Sequence, residues 1–292
     1  MPESAGTTVP LPPWVTERSQ QTHWLFVSPH LDDAVLSCGA LMARLAIDGS
    51  VTVASVFSNA GPLPWSIPAY RTLAKYGRDP FALFEVRRHE DLTVLRTIPA
   101  RVAHLGYCDG LFRTRSGTDT SRATRLGRLR SRIPRYPTFR WDLARGRVAR
   151  SDRGLADQVA VSLTELAEQL GPQGTVIFAP LAIGRHVDHI ITRNAAARLG
   201  LPVVYYSDFP YSESALPDRA FVERYNIVPY LWQAGRQANA DRVRSYRSQL
   251  DGSFPSGNVP TRPEVYWLPL AATDRTPPTM AGARTGQGDG GT

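Results

Sequence analysis

His30, Asp32 and Asp33 set one imidazole and two carboxylates within four residues, and His186, Asp188 and His189 set two imidazoles and a carboxylate within another four. Imidazole nitrogen and carboxylate oxygen make a hard-to-borderline donor set suited to Zn²⁺ or a similar divalent ion. Three protein ligands drawn from the two clusters would leave a position open for water, as a catalytic zinc requires. Each cluster alone has a simpler reading. Asp32 or Asp33 could cap a helix by accepting from its unpaired N–H groups, and His186 and His189 could begin a solvated helix. The chain holds only six histidines, however, and three of them fall in these two acidic clusters. That concentration favours one shared metal site.

The elements around the clusters can be read from apolar spacing. The first cluster lies between Trp24-Leu25-Phe26-Val27 and a stretch from Ala34 to Leu45 with apolar residues three and four apart. This order reads as buried strand, tight loop, helix. The second cluster follows the apolar run Thr175 to Pro180 and leads into a helix expected from about His189 to Leu199. Both clusters then cap strands at the sheet end where open α/β folds collect ligands. Further strands are expected at Val51 to Phe57, Val102 to Leu105 and Pro202 to Tyr206, and helices at Phe81 to Arg96, Leu155 to Leu170 and Arg242 to Leu250. Pro62, Pro64 and Pro68 mark a loop. Asp109, before Gly110, reads as a turn residue at the same sheet end.

His30-Leu31-Asp32-Asp33 together with His186-Val187-Asp188-His189 resembles the zinc-dependent N-deacetylases of the PIG-L/LmbE-like family, whose pattern is His-Pro-Asp-Asp followed far downstream by His-x-x-His. Arg87 to Asp91, His104 to Asp109, Tyr205 to Tyr211, Tyr246 to Gln249 and Glu264 to Trp267 resemble its secondary landmarks in order, so the likeness covers roughly residues 22 to 268. The chain departs from the pattern at Leu31, where Pro is usual, at Ala34, where Glu is common, and at Cys38, where a second Gly is usual. The resemblance implies an α/β fold with a Rossmann-like open, mostly parallel sheet, helices on both faces and the active site at the carboxyl ends of the strands. It implies one Zn²⁺ per chain held by His30, Asp33 and His189, with Asp32 as general base and His186 as general acid or oxyanion stabiliser. It further implies Asp188 as an orienting neighbour, and Arg87, Asp109 and Asp208 as substrate-binding residues. Spacing alone does not say which Asp ligates or which His is free.

At 292 residues the chain can bury a sizeable core, and one domain is expected over 21–270, with a flexible segment over 1–20 and a disordered tail over 271–292. No apolar run approaches the ~20 residues a membrane span needs, and no signal peptide is visible, so a cytoplasmic location is the default expectation. Cys38 and Cys108 make no disulfide framework. Between Arg113 and Arg153, thirteen Arg stand against three Asp, a local balance of +10 that exceeds the whole chain's +8. This Arg-rich insertion, at about 113–153, suits contact with an anionic group on a substrate. Tyr136, Phe139 and Trp141 are its only aromatic residues and no nucleic-acid motif frames it, which argues against an anionic-polymer binder. The partner expected is therefore a small N-acylated amino sugar or glycoside, with no nucleic acid. A mycothiol-conjugate-type amidase is the alternative within the family. By resemblance a homo-oligomer is common, although the sequence carries no interface signal.

Overall fold

A computed structural model describes residues 11, 13–16, 22–61, 67–76, 79–114, 133–136, 146–171 and 174–270. Most of the expected N-terminal segment, Pro62 and Pro64, much of the Arg-rich insertion and the whole tail over 271–292 lie outside these residues.

Five strands, β1 (His23–Ser28), β2 (Ser50–Ser55), β3 (Ala100–His104), β4 (Thr175–Pro180) and β5 (Val203–Tyr206), run parallel; β7 (Glu264–Pro269) pairs antiparallel with β5, and β6 (Ile227–Trp232) pairs antiparallel with β7. The sheet order is β3-β2-β1-β4-β5-β7-β6. The central strands are apolar on both faces because helices cover both. Phe26 of β1 stacks on Phe178 of β4 at 4.3 Å toward one side, in a core with Trp24, Leu41 and Tyr266. Leu25, Val27 and Ile177 face the other side, against Val159 and Leu163. β1 and β4 are adjacent and the chain leaves them in opposite directions across the sheet, so their carboxyl ends form the switch-point crevice.

The helices are α1 (Pro13–Thr16), α2 (Asp33–Asp48), α3 (Ile67–Tyr76), α4 (Pro80–Leu95), α5 (Leu155–Leu170), α6 (Val187–Ala196), α7 (Arg219–Tyr225), α8 (Arg236–Val243) and α9 (Arg247–Ser253). Several expectations need correction. Within the stretch expected to be flexible, Trp14 and Val15 of α1 are buried in the core. Pro68 sits in the first turn of α3, where its missing N–H costs nothing, rather than in a loop. The late helix expected from Arg242 to Leu250 is two helices, α8 and α9, separated by a turn. α6 begins at Val187, two residues earlier than its spacing suggested.

α2 carries the first cluster and is held by two side chains from distant elements. Glu264 of β7 accepts from the Ala40 and Leu41 N–H groups at 2.6 and 2.9 Å. Asn239 of α8 donates to the Val35 carbonyl at 2.9 Å. A Cβ at Gly39 would lie 1.9 Å from Asn239 Oδ1. Gly39→Ala therefore displaces the Asn239 side chain and breaks its bond to the Val35 carbonyl, and should destabilise the fold by about 1–3 kcal/mol, as read from chemical denaturation.

A candidate metal centre at the strand ends

The turn after β1 frees both aspartates for chemistry. Asp32 occupies the N-cap position of α2, yet its carboxylate makes no cap bond. Ser28 at the end of β1 takes over that duty, its hydroxyl oxygen accepting from Ala34 N–H at 2.9 Å. The Asp33 carboxylate turns back instead. Its Oδ2 accepts from His30 N–H at 2.9 Å and lies 3.0 Å from His30 Nδ1 and 3.2 Å from His189 Nε2.

The second cluster arrives on the loop between β4 and α6. His186 is the N-cap of α6, with its Nδ1 accepting from Asp188 N–H at 3.2 Å. An accepting Nδ1 puts the proton of a neutral ring on Nε2. His189, one turn into α6, is 1% exposed. Its Nδ1 lies 2.6 Å from Asp208 Oδ1, and the other Asp208 oxygen accepts from Ile183 N–H at 2.8 Å. Asp208 is thus engaged on both oxygens behind the imidazole. The loop is tightly wound, with Ala182, Gly184 and Arg185 all in the left-handed region. A Cβ at Gly184 would sit 2.7 Å from the Tyr211 ring, so glycine is what lets Tyr211 pack edge-on against His189.

His30 Nδ1, His189 Nε2 and Asp33 Oδ2 therefore converge on one point, and His30, Asp33 and His189 are a set whose ligand atoms lie within 4.8 Å of one another. His189 Nε2 is buried and makes no hydrogen bond, although it lies 3.2 Å from Asp33 Oδ2. An orphaned imidazole nitrogen facing a carboxylate and a second imidazole fits a divalent metal ion and has little other use. Each histidine of this set is backed on its other nitrogen: His189 by Asp208, and His30 by Asp188, whose Oδ2 is 3.1 Å from His30 Nε2. Such carboxylate partners fix the tautomer that leaves the inner nitrogen for the metal.

Electrostatics separate the two neighbouring aspartates. Burial pushes the Asp33 carboxyl up, but the His189 and His30 rings outweigh it and hold it well below the usual carboxylate range. Burial and the charge of Asp33 push Asp32 the other way, to about 7. Burial also disfavours charge on His189, yet Asp33 and Asp208 raise it to about 9. Burial, reinforced by the His30 ring, holds His186 well below the usual imidazole value.

A cleft of about 320 Å³ opens above the cluster, lined among others by His30, Asp32, Asp33, Arg87, Asp109 and His186. Arg87 projects from α4, which Asp79 caps through the Phe81 and Ala82 N–H groups. Asp109 both reaches the cleft and caps a turn, accepting from Leu111 N–H at 2.8 Å, with its other oxygen 3.7 Å from His30 Nε2. Asp188, expected beside His186, meets it through its backbone N–H, while its carboxylate goes to His30, Gly110 N–H and Arg113. Tyr211 and Gln249 also line the cleft. Neither carries a spacing signal: Tyr211 lies in the turn after β5 and Gln249 on α9, and both reach the site only through the tertiary fold. Because Asp208 holds His189, Asp208→Asn should weaken the hold of this cluster on a divalent ion roughly 10–100-fold, measurable with added Zn²⁺ by competition with a chromophoric chelator.

Comparison with known proteins agrees with this geometry. The family pattern described as GlcNAc-PI de-N-acetylase, PIG-L, matches residues 25–199, which include both clusters. The 2'-N-acetylparomamine deacetylase of Streptomyces fradiae is 27% identical over 223 residues, covering 73% of this chain and 67% of the relative. The enzyme of the same name from Niallia circulans is 26% identical, covering 84% and 90%. Among solved structures, the zinc-inhibited form of teicoplanin deacetylase Orf2 superposes with a TM-score of 0.61 at 24% identity, over 84% of this chain and 97% of that one. The A40926 pseudoaglycone deacetylase Dbv21 superposes with a TM-score of 0.60 at 24% identity, over 85% and 97%. Among the described residues no helix is long and apolar enough to cross a membrane. The sheet, the crevice and the two paired clusters are those of one family, and this chain belongs to it: the GlcNAc-PI de-N-acetylase family, PIG-L.

Proposed function

We propose that this protein is a zinc-dependent N-deacetylase that removes the acetyl group from a small N-acetylated amino sugar or amino-sugar glycoside, in the chemistry of a secondary metabolite. The observation that carries the reading is the convergence of His30 Nδ1, Asp33 Oδ2 and the unpartnered His189 Nε2 beside a second carboxylate, Asp32. The curated relatives support the substrate class, since both are named for deacetylating an acetylated amino sugar.

His30, Asp33 and His189 would hold the ion. When bound, Zn²⁺ supplies Lewis acidity, bringing a water toward a pKa of about 7 and polarising an amide carbonyl. Asp32 takes the proton from the attacking water, because its carboxylate faces the cleft and no cap bond competes for it. His186, its Nδ1 occupied by the Asp188 N–H, keeps its remaining proton on Nε2 and donates it as a hydrogen bond to the oxygen on which charge develops. The carboxyl of Asp32 then returns the proton to the departing nitrogen, so that a neutral amine and not an amide anion leaves. Arg87 and Asp109, on the cleft wall, bind the polar groups of the sugar.

The test is release of free amine and acetate from a panel of N-acetylated amino sugars and aminocyclitol glycosides, neutral and anionic, by the protein as purified, after chelation and after adding Zn²⁺. Chelator-sensitive turnover restored by zinc is expected. Turnover of an ester or a longer acyl amide in preference to every acetamide would overturn the assignment.

A further inference from the structure

The reaction uses the two histidine clusters and leaves the basic segment without a role, yet its two ends are drawn into the protein beside the site. Arg113, at one end, is 6% exposed, and Asp152, at the other, is fully buried. The Arg113 guanidinium is shared between two carboxylates: Nη2 bonds Asp188 Oδ1, and Nε lies 3.1 Å from Asp152 Oδ2. Its Nη1 donates to the Cys108 carbonyl at 3.0 Å, and the group lies over the rings of Phe57 and Tyr136. Asp152 is held in turn by Arg135 and by the Tyr136 hydroxyl, which donates at 2.6 Å. Asp188 has one oxygen on Arg113 and the other on Gly110 N–H and His30. The chain Arg135, Asp152, Arg113, Asp188, His30 is therefore an unbroken run of paired polar groups from the basic segment to the metal centre.

We propose that Arg113 and Asp152 form a clamp that docks both ends of the basic segment against the metal centre, and that Arg113 is a positioning residue holding the Asp188 carboxylate on His30 Nε2. The inference rests on the reading of His30 as a metal ligand. Buried ion pairs are poor sources of stability, because desolvation cancels most of the attraction. What this one provides is direction. A planar guanidinium ion-paired with Asp152 through Nε and bonded to the Cys108 carbonyl through Nη1 is restricted in how it presents Nη2 to Asp188, and Asp188 restricted in this way keeps the His30 ring turned with Nδ1 inward.

The experiment uses the full chain and the variants Arg113→Lys, Arg113→Gln and Asp152→Asn. Arg198→Gln, at a surface ion pair with Asp157, is the control. Zn²⁺ affinity is measured by chelator competition, the thermal unfolding of metal-free protein is followed separately, and kcat and KM are determined on the best acetylated substrate. Asp152→Asn and Arg113→Gln are expected to weaken zinc binding roughly 10–100-fold and to lower kcat with KM unchanged. Arg113→Lys, able to pair with only one carboxylate at a time, falls between them and the wild type. Should Arg113→Gln fail to fold, Asp152→Asn and Arg113→Lys decide the matter. Wild-type zinc affinity in the clamp variants, with only a lower unfolding temperature, would overturn the clamp while His30→Ala still loses zinc. Unchanged zinc binding in His30→Ala would overturn the ligand reading as well.

Discussion

His189→Ala should leave the protein folded but without tightly bound zinc and without turnover. His189 Nε2 is the donor with no alternative partner, and no other imidazole reaches its position, because His30 and His186 are held by Asp188 from other directions. Loss of a carboxylate that merely backs a ligand costs 10–100-fold in affinity, so loss of the ligand itself should cost on the order of 10³ or more. The alanine also leaves Asp208 buried with an unpaired oxygen and deprives Asp33 of one of its two rings. Some loss of metal-free stability should accompany the effect, of about 1–3 kcal/mol. Metal content after dialysis, chelator competition and far-UV circular dichroism separate the three consequences. Full zinc occupancy in this variant would place the ion elsewhere.

Asp32→Asn should do the opposite: keep the metal and lose the reaction. The carboxylate is adjacent in sequence to Asp33, the proposed ligand, but contributes no bond to the helix cap, which Ser28 supplies. Its replacement by an amide removes a proton acceptor of nearly the same shape, so the fold and the zinc site should remain. Removing a positioned general base costs about 10²–10⁴ in rate. The expected result is kcat lowered by that factor at unchanged zinc affinity. A variant that retains more than a tenth of wild-type kcat would assign the base to another group. The pair of variants is informative because two consecutive aspartates, Asp32 and Asp33, are given different tasks. Their opposite electrostatic environments, with Asp33 held low by two rings and Asp32 raised to about 7, are what divide those tasks.

Much of this was legible in the chain because both histidine clusters follow uninterrupted apolar runs. Trp24 to Val27 and Val176 to Ala179 are buried on both faces, the mark of central parallel strands, and their neighbouring positions in the sheet explain why the clusters meet. β6 and β7 were not legible as strands: β6 lies at the sheet edge with Pro229 inside it, and β7, paired with β5 and β6, is a short alternating segment without the apolar run of the central strands. The partner of each imidazole was legible only in part. Asp208 stands after a strand, where pattern and family likeness suggested substrate contact, and only tertiary packing turns it onto His189. Arg113 lay hidden for a different reason: among thirteen arginines in a basic stretch, spacing cannot single out the one that is buried.

The central claim is that one metal ion held by His30, Asp33 and His189 drives amide hydrolysis. The most direct test is a titration of chelated, metal-free protein with Zn²⁺, with acetate release measured at each addition. The site predicts activity rising in proportion to zinc and reaching its plateau at one equivalent per chain, with His189→Ala silent throughout. Full acetate release by the metal-free protein, or a titration in which His189→Ala follows the wild type, would contradict it.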